Sequence, residues 1–104
     1  MSNPNDVEKF LINKYGVSIL AYKGFKYIRD IICSNDDYII GKTVQELQLV
    51  ADNYNVPWKS VERAIRYMKD TLGHTKDPIT VFINNLIFEF KEYRNNHNKK
   101  VNND

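Results

Sequence analysis

The chain has 104 residues, about the length of one domain, and its 42% hydrophobic and 27% charged residues argue against disorder throughout. The net charge is only +2, so a nucleic-acid function would have to arise from how the charges are distributed. The single cysteine excludes an internal disulfide, and no apolar run approaches the roughly 20 residues of a membrane span, so we expect a cytoplasmic protein.

Apolar residues in the first third of the chain recur at helical spacing. They predict a first helix over 6–15, where Asn5 and Glu8 form the pattern of a capping box. A second helix is predicted over 22–33. It contains Gly24, which suits a helix only if a neighbouring helix packs closely against it.

The middle of the chain predicts two more helices separated by a tight turn. Thr43 and Glu46 form a second capping-box pattern at the start of a helix over 43–53. Pro57 suits the first position of the next helix, 57–72, because its missing N–H is not needed there.

The last element, 79–94, has two interpretations. Its apolar residues recur at helical spacing, which favours a helix and a mainly α fold. Its β-branched and aromatic content also fits a β-hairpin near 79–91, which would make the fold a winged helix-turn-helix. Almost no apolar residue follows, so we predict a single domain over 1–94 and a disordered polar tail over 95–104.

The segment from about 44 to 72 has the pattern of a helix-turn-helix. Such a pair needs a small residue where the helices cross and a turn residue that tolerates a left-handed backbone. Ala51 and Asn55 meet these two requirements. Apolar residues are also available to fill the wedge between the helices, namely Val50, Tyr54, Val56, Val61 and Ala64.

In a helix-turn-helix, the outward residues of the second helix enter the major groove of DNA. Arginine pairs with guanine and glutamate accepts from cytosine, so we predict base contacts by Glu62, Arg63 and Arg66. Phosphate contacts are predicted for Lys59, Ser60 and Lys69. The alternative is an ordinary solvated face, in which Glu62 and Arg66 form a helix-stabilising pair.

The string Lys59–Arg66 resembles the recognition helix of the C-terminal DNA-binding effector domains of stage-zero sporulation response regulators. The similarity continues through Tyr54-Asn55, the helix over 43–53 and the run 16–30. It also includes Pro78, with Phe82, Ile83 and Leu86 beyond it. In all, it covers roughly residues 8–94.

This resemblance implies an all-α domain that binds duplex DNA at short boxes, often as tandem dimers. It places the base contacts of that family on Glu62, Arg63 and Arg66. Two departures matter. The segment between Gly73 and Pro78 is shorter than in the family, and we expect no phospho-receiver domain, so that phosphorylation would not switch the protein in the family's manner.

We therefore expect a sequence-specific double-stranded DNA-binding protein, and we favour a transcription regulator that acts as a homodimer. One alternative is a plasmid or phage DNA-processing accessory protein that binds an origin. A second is a helical protein-interaction module, such as an antirepressor. The cysteine and histidines are too isolated for a metal site, and no residue group suggests an enzyme, a cofactor or a small-molecule ligand.

Overall fold

The computed structural model describes the backbone of residues 2–35 and 41–102, and the side chains of these residues up to 96. Within these ranges the chain forms five α-helices and one 3-10 helix, with no strand. The α-helices are α1 (Pro4–Tyr15), α2 (Gly24–Ser34), α3 (Thr43–Tyr54), α4 (Trp58–Thr71) and α5 (Ile79–Asn102), and the 3-10 helix is Val17–Ala21.

This architecture confirms the prediction of a mainly helical domain. Residues 79–91 belong to α5, so the alternative β-hairpin is wrong. The backbone of α5 also remains helical as far as Asn102, within the stretch predicted to be a disordered tail, because extending an existing helix avoids the cost of nucleation. None of the helices in the described ranges is long and apolar enough to cross a bilayer.

Helix α1 begins earlier than predicted because Asn3 caps it instead of Asn5. The side-chain oxygen of Asn3 accepts a hydrogen bond from the backbone N–H of Asn5 at 2.8 Å. Pro4 occupies the first turn, where a missing N–H has no cost. The predicted capping box is therefore wrong, and Glu8 accepts a hydrogen bond from Arg29 of α2 at 2.8 Å.

The second predicted capping box is also wrong. The N-cap position of α3 is Lys42, and no side chain makes a cap hydrogen bond there. The hydroxyl of Thr43 hydrogen bonds with that of Thr80 in α5. The carboxylate of Glu46 accepts a hydrogen bond from the Asn35 amide at 3.0 Å. Both side chains thus join α3 to other parts of the fold, and tertiary partners replace the local ones.

Helix α2 packs against α4 at very short range. Gly24, the first residue of α2, is buried there. A Cβ added to Gly24 would lie 2.7 Å from the carbonyl oxygen of Ala64 and 3.2 Å from the Cα of Ile65. Gly24 therefore has the closely packed neighbouring helix that would make a glycine suitable in α2, and this contact sets the distance between α2 and α4.

A tight turn with two backbone hydrogen bonds joins α3 to α4. Asn55 has the predicted left-handed conformation, with φ 55° and ψ 48°. The N–H of Asn55 donates to the carbonyl of Asp52 at 3.3 Å, and the N–H of Val56 donates to that of Ala51 at 3.1 Å. This is the Schellman pattern, which satisfies the last carbonyls of α3 and holds the two helices as a pair.

A hydrogen-bonded network fixes the C-terminal end of α3 to α1 and α2. Arg29 of α2 donates to Glu8 at 2.8 Å, to Asp30 at 2.9 Å and to the Tyr54 hydroxyl at 3.1 Å. Burial by itself lowers the pKa of Arg29, because it disfavours the charged form. The hydrogen bonds to Asp30 and Glu8 outweigh this effect, so the pKa of Arg29 is raised. Burial and the hydrogen bond to Asp30 raise the pKa of Tyr54, so its hydroxyl stays protonated and donates to Asp30.

We expect Arg29→Ala to lower the free energy of unfolding by roughly 1–2 kcal/mol, because it leaves two half-buried carboxylates without their cation. Urea unfolding at neutral pH measures this change. Lys9→Ala removes an exposed lysine of α1 and is the matched control, with an expected change within about 0.5 kcal/mol. Equal effects of the two substitutions would contradict a stabilising role for the network.

Candidate nucleic-acid interface

Helix α4 has one buried face and one exposed face. Val61 and Ile65 are fully buried, and Met68 is almost so. The opposite side of the same helix carries Lys59 and Arg63, both exposed. A helix supported along its whole inner side in this way presents its outer side chains on a rigid element.

The three predicted base-contacting residues differ in their availability. Arg63 is exposed and has no carboxylate partner among the described residues. Arg66 is also exposed, but its Nη2 lies 3.6 Å from the carboxylate of the half-buried Glu62. This is the i,i+4 pair that the sequence offered as the alternative interpretation. Arg63 is therefore the most available of the three for a new contact.

Two of the three predicted phosphate-contacting residues lie on the surface. Lys59 and Ser60 are exposed in the first turn of α4. The Lys59 ammonium lies 5.8 Å from the centre of the Trp58 ring, a cation–π contact that leaves the charge at the surface. Both side chains are therefore accessible at the N-terminal end of α4.

The predicted phosphate contact at Lys69 is wrong. Its side chain is only 4% exposed, and its Nζ donates to Asp70 at 2.6 Å and to the carbonyl of His74 at 3.0 Å. Gly73, with φ 96°, reverses the chain after α4, and the N–H of His74 then donates to the carbonyl of Lys69. The reversal places the His74 carbonyl beside the ammonium, which therefore points into the protein.

The sequence analysis also missed a groove beside the exposed face of α4. The groove is about 800 Å³ in volume and runs between α4 and the segment that joins the 3-10 helix to α2. Tyr22, Tyr27 and Tyr67 line it together with Lys23 and Arg63. These residues are far apart in sequence, so no local pattern could reveal that they surround one space.

The chain finds no significant match among protein-family models, curated proteins or solved structures. The resemblance of residues 59–66 to sporulation effector domains therefore stays a prediction. The site is defined by its geometry, which is a supported helix with accessible cations on its outer face and a groove along one side.

Proposed function

We propose that this protein is a sequence-specific double-stranded DNA-binding protein, without catalytic activity, that reads the major groove with α4. The observation that carries the proposal is the outer face of α4, where Lys59, Arg63 and Arg66 are exposed while the inner face is buried. The tight turn after α3 supports it, since the two helices then meet DNA as one unit. The resemblance to sporulation effector domains points to the same helix.

The roles of the side chains follow from their positions along α4. Arg63 would bind guanine through its O6 and N7 atoms, the commonest specific contact in the major groove. Arg66 and Glu62 would act as a pair, with Glu62 orienting the guanidinium or accepting from a cytosine amine. Lys59 and Ser60, at the start of the helix, would bind phosphates and set the position of the helix on the duplex.

The length of the reading face argues for a dimer on DNA. From Lys59 to Arg66 the helix rises about 10 Å, at 1.5 Å per residue. This distance matches about three base pairs at 3.4 Å each, too few for a useful genomic target. A homodimer that reads two such half-sites is therefore part of the proposal.

Salt dependence of binding to random-sequence duplex DNA, between about 50 and 200 mM, tests the phosphate contacts. We expect Lys59→Ala to reduce the magnitude of the salt slope by about 0.9, the value of one released phosphate contact. Lys69→Met is the matched control, because it keeps the buried stem and removes a charge that does not reach the surface. It should leave the slope unchanged, and an equal reduction by both substitutions would contradict the assignment.

Regulation of transcription is the use of DNA binding that we favour. Action at a plasmid or phage origin would use the same contacts, and the position of the bound sites, at promoters or at an origin, separates the two.

One observation favours the protein-interaction alternative. Val81 and Phe88, two turns apart on α5, are 42% and 56% exposed. Loss of partner binding on Phe88→Ala, together with weak binding to every DNA sequence, would support that alternative.

A further inference from the structure

The groove beside α4 combines an aromatic lining with unpaired positive charge. Tyr22 and Tyr67 both line it and pack against each other, with their ring centres 6.1 Å apart and the rings tilted by 51°. Tyr67 is 66% exposed, unusually high for a large aromatic side chain that has a neighbouring ring. The exposed face of such an aromatic ring can stack on a flat molecule.

The two cations of the groove, Lys23 and Arg63, lie on opposite elements. Lys23 precedes α2 and Arg63 projects from α4. None of the residues that line the groove is acidic, and no carboxylate in the described ranges pairs with either cation. Their charges therefore have no carboxylate partner among the described residues, and an anion that enters the groove would meet both.

Apart from Ser60, the remaining lining is apolar. Val56 and Ala64 contribute to it and are half-buried, packed against the hydrophobic core. Contact with such a surface does not stabilise a hydrated DNA phosphate. It does stabilise an aromatic ring system, because apolar area is then removed from water. The volume of about 800 Å³ lies within the range of small-molecule sites, which are typically apolar spaces with a few well-placed polar groups.

We propose that this groove binds a small planar organic anion, an aromatic ring system that bears a carboxylate, sulfonate or phosphate group. The ring system stacks on the exposed face of Tyr67, beside Tyr22, and its anionic group binds Lys23 and Arg63. The proposal goes beyond DNA binding and does not require it. If α4 also reads DNA, the anion and the duplex compete for Arg63, which makes the ligand an effector that releases DNA.

Two fluorescent probes test the groove, because they share an aromatic body and differ in charge. Anilinonaphthalene sulfonate is an anion with a flat naphthalene ring system, and phenylnaphthylamine is its neutral counterpart. We expect the wild-type protein to bind the sulfonate saturably with one site, and about tenfold more tightly than the neutral probe. Arg63→Ala and Lys23→Ala should each remove most of this preference for the sulfonate. Tyr67→Ala should lower the affinity for both probes.

Arg66→Ala is the matched control, because it removes an arginine of the same helix that does not line the groove. It should leave sulfonate binding unchanged. Equal affinity of all variants for the sulfonate would overturn the proposal, as would the absence of saturable binding by the folded wild-type protein. DNA titrations of the same variants are scored separately, so a failed DNA proposal is distinguishable from a failed ligand proposal.

Discussion

Gly24→Ala is expected to lower the free energy of unfolding by about 2–3 kcal/mol, although alanine is the better helix former. The added Cβ would lie 2.7 Å from the carbonyl oxygen of Ala64, which belongs to the backbone of α4 and cannot rotate away. Helices α2 and α4 would have to separate, and the packing of Ile28 and Ile65 in the core would loosen with them. Thermal unfolding measures the loss, at about 4–8 °C for each kcal/mol.

Gly41→Ala is the matched control for this substitution. Gly41 has no atom within 4 Å of an added Cβ and does not have a positive φ, so its replacement changes only backbone propensity. We expect a change within about 0.5 kcal/mol. If Gly24→Ala were as harmless as Gly41→Ala, the close packing of α2 on α4 would be contradicted. The arrangement of α4 relative to the rest of the domain would then need revision.

Arg63→Ala is expected to weaken binding to the preferred duplex site by about fivefold to 150-fold, the 1–3 kcal/mol of a bidentate guanine contact. Binding to random-sequence duplex should fall much less, because phosphate contacts dominate there. Fluorescence anisotropy with both duplexes, at one salt concentration, gives the two affinities. Their ratio is the specificity that Arg63 supplies.

Arg63→Lys separates base recognition from charge. Lysine keeps the positive charge but lacks the planar fork that binds guanine through two hydrogen bonds. We therefore expect it to retain non-specific affinity and to lose much of the preference for the specific site. Lys91→Ala, an exposed lysine of α5, is the charge control and should change neither affinity appreciably. Full specificity in Arg63→Lys would show that the residue contributes only its charge.

Local patterns were sufficient for the helices and their turns. Apolar periodicity located all five α-helices, with ends within two residues except the C-terminal end of α5, and Asn55 was identified as left-handed because few other residues tolerate that conformation. Gly24 is more instructive. A glycine there suits a helix only where a neighbouring helix packs closely against it, and the structure supplies that neighbour in the backbone at Ala64. Predictions from single residues succeed when only one or a few residue types tolerate the local backbone conformation or the close approach of a neighbouring helix.

The failures share a cause in tertiary structure. Glu8 and Glu46 fit the local capping pattern, but each has a stronger partner elsewhere in the fold, Arg29 and Asn35 respectively. Lys69 lies at the edge of the apolar face of α4, and periodicity alone cannot tell an exposed edge from a buried one. The carbonyl that holds its ammonium belongs to His74, which reaches that position only through the reversal after α4.

The groove beside α4 illustrates the same limit for a site. Tyr22 and Lys23 are the first two residues of the predicted second helix, and Tyr67 is a position on the predicted fourth, with no pattern that joins them. Only the close packing of α2 on α4, with glycine between them, brings these side chains around one space. The exposed positions of Lys59, Arg63 and Arg66 on α4 were more predictable, because they depend on the spacing within a single helix.

Selection of binding sites from random duplex DNA, run in parallel for the wild-type protein and Arg63→Ala, tests DNA reading by α4 most directly. The proposal predicts that the wild type enriches a short motif with a guanine that the variant no longer requires. Two copies of that motif at fixed spacing would also reveal the arrangement of the dimer. Enrichment of the same motif by both proteins would contradict reading by α4, and enrichment by neither would contradict sequence-specific DNA binding altogether.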